Sequence, residues 1–303
     1  MKTDAPAKLT LGPVLFNWPA EAWRDFHFRI ADEAPVDTVC LGEVVCSKRA
    51  PFIAPHLPAV IERLTAAGKE VVLSSLALIM DARDMEAALS VTTDPDILVE
   101  ANDMAVAAEL AGRPHVIGPF VNVYNEGTLE YLAGNGAVRF VAPCELPGRA
   151  LAAIAQAVPG VEIEAQVFGR LPLALSARCY HARAHDLHKD GCQYMCGEDP
   201  DGMALQTLDG DGFLAVNGTQ VMSHAICNLI RELGALRAMG IHRFRLWPHS
   251  VDMVAVARIF RSALDGRIDS EEGTARLGEL AGFAGFSNGF YYGREGAAQV
   301  SAP

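Results

Sequence analysis

The stretch Leu57-Pro-Ala-Val-Ile-Glu-Arg-Leu-Thr-Ala-Ala-Gly-Lys-Glu-Val-Val-Leu-Ser-Ser-Leu-Ala-Leu78 decides the fold, because it joins a helix pattern to a strand pattern. Apolar residues recur with helical spacing over Leu57–Ala67, and Gly68 follows, as glycine often does after a helix. The apolar run Val71–Leu78 shows little strict alternation, which is typical of a strand covered on both faces. A helix followed by a buried strand indicates an α/β protein.

The same alternation continues along most of the chain. Strand candidates are the apolar runs Leu9–Phe16, Val36–Leu41, Val71–Leu78, Ile97–Val99, Val116–Val123, Val138–Val141, Val161–Phe168 and Phe244–Trp247. Helix candidates are Ala20–Ala31, Leu57–Ala67, Arg83–Ser90, Met104–Ala111, Thr128–Ala133, Arg149–Ala157 and His224–Met239. Repeated βα units imply a parallel sheet, and eight strands favour a (β/α)8 TIM-barrel-like fold, regular or irregular. An open doubly wound sheet is the alternative, because counting strands does not exclude it.

One segment interrupts the alternation. Residues 170–222 contain no clear βα unit and lie between the seventh and eighth predicted strands, and Leu208-Asp-Gly-Asp-Gly212 within them indicates a turn or hairpin. Long irregular insertions in compact domains usually carry function. We therefore predict one barrel-like domain over residues 1–303 with a cysteine-rich insertion at 170–222, at the face where barrel active sites lie.

Composition limits the partners. Half of the 303 residues are hydrophobic and the formal net charge is −12, so the chain is globular and nucleic acid is not expected as a direct partner. The longest apolar run, Val71–Met80, stops at Asp81 and is too short to span a membrane. We expect a cytoplasmic protein whose seven cysteines are reduced.

Three cysteines in the insertion form the densest chemical signal. Twelve residues separate Cys179 from Cys192, and three separate Cys192 from Cys196. Tyr, His, Arg, Lys and Gly fill the gaps, whereas a buried cysteine is expected in an apolar run, as Cys227 is. The trio is therefore interpreted as ligands of one metal centre.

A metal centre of this type usually has a fourth ligand. The residues leave it open among Cys40, Cys46, Cys144, His181, His185 and His188. Wide, asymmetric spacing favours an iron–sulfur cluster over structural zinc, which more often uses close cysteine pairs. The pattern C-x3-C-x2-C of radical enzymes is incomplete, because Asp199 stands at its third position.

Two stretches resemble one known family. Glu164-Ala-Gln-Val-Phe-Gly-Arg-Leu-Pro-Leu-Ala-Leu-Ser-Ala-Arg-Cys179, with Cys192 and Cys196 after it, resembles the signature of the collagenase-like peptidase family. The early stretch Val36-Asp-Thr-Val-Cys-Leu-Gly-Glu-Val-Val-Cys-Ser-Lys-Arg49 narrows the match to its branch in oxygen-independent ubiquinone biosynthesis. The resemblance runs from the first strand to about Leu264.

The resemblance implies a [4Fe–4S] cluster on Cys40, Cys179, Cys192 and Cys196, with Cys46, Cys144 and Cys227 outside the ligand set. It implies a barrel-like iron–sulfur subunit that works as a heterodimer with a UbiU-like partner. The pair would hydroxylate the ring of a ubiquinone precursor without O2, with prephenate as the oxygen donor. An RNA-modifying hydroxylase of the same family and a non-catalytic scaffold are the alternatives.

The chain departs from the family at one motif. Many members have His-Gly-Ala where this chain has Phe168-Gly169-Arg170, so peptidase activity is not expected.

Five further residues are candidates for binding substrate or supporting the centre, with ion pairing, helix capping or loop solvation as the alternative roles. They are Arg170, Arg178, Glu43, Asn122 and Glu145. A solvated polar face is expected for His181, His185 and His188.

Overall fold

The computed structural model describes residues 6–280 and 285–301, so residues 1–5, 281–284 and 302–303 of the expected domain lie outside it. The described strands are β1 (Lys8–Leu11), β2 (Thr38–Leu41), β3 (Glu70–Ser74), β4 (Leu98–Ala101), β5 (His115–Ile117), β6 (Ala137–Val141), β7 (Glu162–Leu175), β8 (Met203–Gln206), β9 (Gly212–Asn217), β10 (Gln220–Asn228), β11 (Arg243–Leu246) and β12 (Phe286–Ser287). Each of the eight predicted strands overlaps one of them.

Eight of these strands close into a barrel. β1 to β7 pair in chain order, all in parallel, and β11 pairs in parallel with both β1 and β7. Phe244 of β11 lies opposite Leu9 on one side and Ala165 on the other. The closed parallel barrel confirms the predicted TIM-barrel class, and the open sheet is wrong.

Helices connect the barrel strands. They are α1 (Ala20–Glu33), α2 (Ala50–Ile53), α3 (Leu57–Ala66), α4 (Ala82–Ser90), α5 (Met104–Glu109), α6 (Glu126–Gly134), α7 (Gly148–Ala157), α8 (Tyr180–Ala184), α9 (Leu233–Ala238), α10 (Met253–Leu264) and α11 (Ser270–Glu279). In α10, the Asp252 side chain accepts hydrogen bonds from the Val254 and Ala255 N–H groups, and buried Val256 and Phe260 lie on its inner face. No helix in the described ranges is long and apolar enough to cross a membrane.

Charged side chains fill part of the barrel interior. Arg245 of β11 forms ion pairs with Glu164 of β7 and with Glu100 of β4, and β4 lies four strands away around the barrel. Only side chains that point inward can meet across that distance. All three residues are almost completely buried.

The insertion is built on an extension of a barrel strand. β7 has 14 residues, and its second half pairs antiparallel with β10, to which β9 and then β8 are added. The predicted turn at 208–212 is confirmed, because Gly212 begins β9 and the Thr207 N–H donates to the Asp211 carbonyl across the turn. The helix predicted over His224–Met239 is wrong in its first part, where residues 224–228 belong to β10 and residues 226–228 pair with β7.

Candidate metal centre

Four cysteines line one small cavity, which we call the cysteine cavity. They are Cys46, Cys179, Cys192 and Cys196. Cys46 follows β2 in a loop, Cys179 precedes α8, and the other two lie in short turns after that helix. All four are free thiols. The structure therefore brings the predicted trio together.

Cys40, predicted as the fourth ligand, lies elsewhere. Its side chain is 1% exposed and packs inside the barrel against Val72, Val116 and Val141. Its Sγ is 3.6 Å from Nη2 of Arg245, and burial raises the pKa of its thiol well above the usual value. The structure thus differs from the predicted set at this position, since Cys46 lines the cavity and Cys40 does not.

Strand geometry explains the difference. Cys40 is the third residue of β2, so the pleat directs its side chain to one face of the strand. Cys46 lies five residues beyond the end of β2, where that constraint no longer acts. Polar Ser47-Lys48-Arg49 follows Cys46. The same polar context identified the trio, and it was the signal that could have favoured Cys46.

Glu43 orients the Cys46 loop. Its carboxylate accepts hydrogen bonds from the N–H groups of Val45 at 2.8 Å and Cys46 at 3.0 Å. Burial raises its pKa, while Arg49 opposes that rise. Thr219, in the β9–β10 turn, donates its hydroxyl to the Val45 carbonyl at 3.0 Å. Glu43 therefore orients the loop that carries Cys46.

Lys48 connects the Cys46 loop to the segment that carries Cys192. Its Nζ donates to the Lys189 carbonyl at 2.5 Å and lies 3.1 Å from the Asp190 carboxylate. Cys179, at the other side of the cavity, accepts a hydrogen bond at Sγ from the Ala182 N–H at 3.4 Å. Side-chain contacts thus hold the cysteine-bearing segments against each other.

A buried arginine places positive charge beside the thiols. Arg49 is 2% exposed and donates from Nη1 to the Leu15 carbonyl at 2.9 Å and from Nη2 to Asn217 Oδ1 at 3.0 Å. Burial raises the pKa of the Cys46 and Cys196 thiols, and the Arg49 guanidinium opposes that rise. A cation here favours thiolate over thiol, which is the form that binds metals.

Gly218 allows this close approach. Its φ is +63°, in the left-handed region that favours glycine, and a Cβ there would lie 2.5 Å from Nη2 of Arg49. The β9–β10 turn therefore packs directly on the guanidinium.

His181 also lines the cysteine cavity. It is 1% exposed, its Nε2 is 2.9 Å from the Asp199 carboxylate, and its ring stacks on that of His185 at 5.6 Å. Burial lowers the pKa of His181, and Asp199 opposes the change. The expectation of a solvated face is wrong for His181, because α8 turns its side chain inward.

Four thiols around one cavity suit zinc or an iron–sulfur cluster by donor type. As the side chains stand, no three His, Cys, Asp or Glu groups within residues 6–280 and 285–301 are arranged to hold a metal ion. The cavity measures about 20 Å³, room for about one water molecule. A cluster is larger than this cavity, so the loops that carry the cysteines would have to move apart to hold one. One of them, residues 183–195, is largely exposed.

The remaining candidates fall into separate places. Arg170 is buried and structural, because its guanidinium donates to the carbonyls of Ser223 at 2.7 Å and Asp201 at 3.1 Å. Arg178 is exposed and lines an open groove of about 390 Å³ beside Cys179. Asn122 and Glu145 line another cavity of about 280 Å³ at the carboxyl ends of the barrel strands.

Comparisons with known proteins agree with the family resemblance. The model of peptidase family U32 matches residues 26–301. Among solved structures, the U32 peptidase Mk0906 is 10% identical with a TM-score of 0.46, covering 82% of this chain and 95% of that one. N-acetylneuraminate lyase from Fusobacterium nucleatum, complexed with pyruvate, is 10% identical with a TM-score of 0.46, covering 92% and 81%. CdNal from Clostridium difficile, complexed with mannosamine, is 12% identical with a TM-score of 0.45, covering 91% and 81%. Because the family model spans most of its length, the chain belongs to peptidase family U32.

Proposed function

We propose that the chain is the iron–sulfur subunit of an O2-independent hydroxylase of the UbiV type, acting on ubiquinone precursors with a UbiU-like partner. One observation supports this most directly. Cysteines from two distant parts of the chain converge on one cavity beside a buried arginine. We propose Cys46, Cys179, Cys192 and Cys196 as the ligands of a [4Fe–4S] cluster.

The residues around the cavity suit that role. A cluster on four thiolates is an anionic group, and buried Arg49 supplies a compensating charge where water is excluded. Glu43 and Lys48 hold the segments that carry the cysteines. A bound cluster would supply one-electron redox chemistry, and with four cysteine ligands it would have no open iron site for substrate.

The alternative of a peptidase has less support. Phe168 stands where many family members have histidine, and it is fully buried in the hydrophobic core. A phenyl ring cannot transfer protons as an imidazole can. We therefore favour redox chemistry over peptide hydrolysis for this chain.

The alternative of an RNA-modifying hydroxylase has one observation in its favour. The groove beside Cys179 is lined by Arg178, Arg183, His188 and Lys189 and by one carboxylate, Asp186, so basic residues predominate there on a chain of net charge −12. RNA crosslinking followed by sequencing tests it. Enrichment of one RNA species that disappears in an Arg178→Glu, Arg183→Glu variant would replace the quinone-precursor proposal.

The central experiment is anaerobic purification with absorbance and EPR spectra and counts of iron and sulfide. We expect about four irons per chain in the wild type, and loss of the cluster in Cys46→Ala, Cys179→Ala, Cys192→Ala and Cys196→Ala. Cys40→Ala is the matched control, since it makes the same chemical change at a side chain that is 1% exposed in the barrel. It should keep the cluster. Zinc in place of iron, or loss of the cluster in the control alone, would overturn the assignment.

The partner and the reaction need a second experiment. Co-expression with a UbiU-like protein should yield a stable heterodimer on size-exclusion chromatography. That heterodimer should hydroxylate a ubiquinone precursor without O2 when prephenate is supplied. A Cys196→Ala heterodimer that still hydroxylates would show that the cluster is not needed. The scaffold alternative would then be preferred.

A further inference from the structure

A second cavity lies at the face where barrel active sites are found, and we call it the strand-end cavity. It is lined by residues that follow β3, β5 and β6 and by the extension of β7, and it measures about 280 Å³. It shares no lining residue with the cysteine cavity. The volume is near the lower end for ligand sites, which run from about 300 to 1,000 Å³.

Most of the residues that line the strand-end cavity are apolar, although polar atoms form a comparable share of its surface. Phe120, Leu173 and Leu175 contribute side chains, and Pro119, Pro143 and Pro172 add rigid ring surfaces. The proline rings have no side-chain rotamers to order, so this part of the wall suits the face of a flat ring. The cavity is large enough for one six-membered ring.

The two polar residues that line the cavity, Asn122 and Glu145, both approach the hydroxyl of Tyr124, an exposed residue outside the lining. The Tyr124 hydroxyl lies 3.4 Å from Asn122 Oδ1 and 3.4 Å from a Glu145 carboxylate oxygen. A tyrosine hydroxyl has a single proton, so it cannot satisfy both acceptors. The Cys144 thiol lies 3.5 Å from the other Glu145 oxygen, and each carboxylate oxygen can accept more than one hydrogen bond, so Glu145 keeps capacity to accept from a ligand.

The backbone at Asn122 is in a conformation that is uncommon outside glycine. Its φ is +60° and its ψ is +51°, directly after the short turn Pro119–Val121. Such conformations cost free energy and cluster at functional sites, although asparagine tolerates them better than most residues. The turn carries Asn122 into the cavity lining, toward Glu145 on the neighbouring loop.

Charge restricts the ligand further. Glu145 is the one carboxylate among the described residues that line the cavity, and no Lys, Arg or His lines it. An anionic ligand would face a carboxylate without a compensating cation. A neutral ring with a hydroxyl group can donate to Glu145 and bury its apolar face. Carboxylates and phosphates are disfavoured.

Two short segments connect the strand-end cavity to the cysteine cavity. Leu78 lines the strand-end cavity, and Met80 follows two residues later. The Met80 Sδ lies 3.2 Å from Nζ of Lys189, which lines the cysteine cavity. Leu175 lines the first cavity, and Cys179 follows four residues later. The two cavities are therefore linked through short stretches of chain.

We infer that the strand-end cavity binds the neutral phenolic ring of an aromatic ligand, with Glu145 accepting the hydrogen bond from its hydroxyl. That the ligand is the ring of a substrate rests on the proposed function. Binding itself can be measured separately from the cluster and from hydroxylation.

The test uses p-cresol as the probe, with the full-length, anaerobically purified protein and a Kd from ligand-detected NMR titration. We expect p-cresol to bind, and 4-methylanisole, which has no donor, to bind about tenfold more weakly, as loss of a hydrogen bond to a carboxylate predicts. Glu145→Gln should weaken p-cresol binding by up to about tenfold, because a neutral acceptor replaces a charged one. Glu126→Gln, which changes an exposed carboxylate outside the cavity, is the control and should not change Kd.

A second variant does not depend on Glu145. Ala174 lines the cavity and is exposed, so Ala174→Phe should fill the space with little effect on folding, and it should abolish binding. Unchanged affinity in Ala174→Phe, or tighter binding of 4-hydroxybenzoate than of p-cresol, would overturn the inference. Cys196→Ala should retain p-cresol affinity, so failure of the cluster proposal and failure of this one are distinguished by iron content and by Kd.

Discussion

The substitution Gly218→Ala tests whether the β9–β10 turn holds Arg49 beside the cysteines. Gly218 is the first residue of a two-residue turn between Asn217 and Gln220, with φ of +63°. A methyl group there would lie 2.5 Å from Nη2 of Arg49. The guanidinium must move away, and it then loses its bonds to Leu15 and Asn217.

Two contributions set the magnitude. An alanine in the left-handed region costs about 1 kcal/mol. Each hydrogen bond from a charged donor contributes about 1.5–3 kcal/mol, so loss of both adds at least about 3 kcal/mol. We expect the free energy of unfolding to fall by about 4 kcal/mol.

Urea unfolding under anaerobic conditions measures the effect as a lower midpoint at unchanged slope. Gly266→Ala is the matched control, because Gly266 has a φ of +68° and a Cβ at this residue would have no atom within 4 Å. The control should lose about 1 kcal/mol, the conformational cost alone. Equal losses in the two variants would refute the claim that the turn packs on Arg49.

Three further predictions concern the barrel, the helix layer and the cysteine-bearing segment. Glu164→Gln should destabilise the protein by about 3–5 kcal/mol in urea unfolding, because Arg245 keeps a buried charge with one partner fewer. Exposed Glu62→Gln is the control, and a loss below about 1 kcal/mol in Glu164→Gln would be inconsistent with a buried ion pair. Burial lowers the pKa of His27 to about 4, so the unfolded chain takes up the proton first as the pH falls. His27 should therefore remove about 3 kcal/mol of stability between about pH 6.5 and pH 4. If the free energy of unfolding of His27→Leu depended on pH in parallel with that of the wild type, this would be contradicted. If a cluster holds the cysteines, its removal by a chelator and oxidant should speed tryptic cleavage at Arg183 and Lys189, whereas equal cleavage with and without iron would show that the segment does not depend on the metal.

The barrel strands were predictable because each is a local apolar run. A strand covered on both faces needs apolar residues in sequence, and Val71–Leu78 and Phe244–Trp247 show this without knowledge of their neighbours. The convergence of Cys179, Cys192 and Cys196 on one cavity was predictable for a related reason. A cysteine in a polar loop departs from the buried environment that the residue usually has.

The error at His224–Met239 has a non-local cause. Its apolar spacing is compatible with a helix, yet residues 224–228 lie in β10, and residues 226–228 pair with β7 more than fifty residues earlier in the chain. A free edge on a long strand stabilises a pairing partner whatever the local preference of that partner. The structural role of Arg170 was unpredictable for the same reason. The Asp201 and Ser223 carbonyls that it binds belong to segments that the pairing of β8, β9 and β10 brings near.

Local sequence therefore identifies a barrel and three converging cysteines, and tertiary structure distinguishes Cys46 from Cys40. Both cysteines lie within one short stretch, and nothing in their spacing says which side of a strand each will face. Barrel closure turns Cys40 inward to Arg245, and the loop beyond β2 carries Cys46 to the insertion. Asn122 and Glu145 likewise share a cavity because parallel strands bring their carboxyl ends to one face, which is a property of the closed sheet and not of either segment.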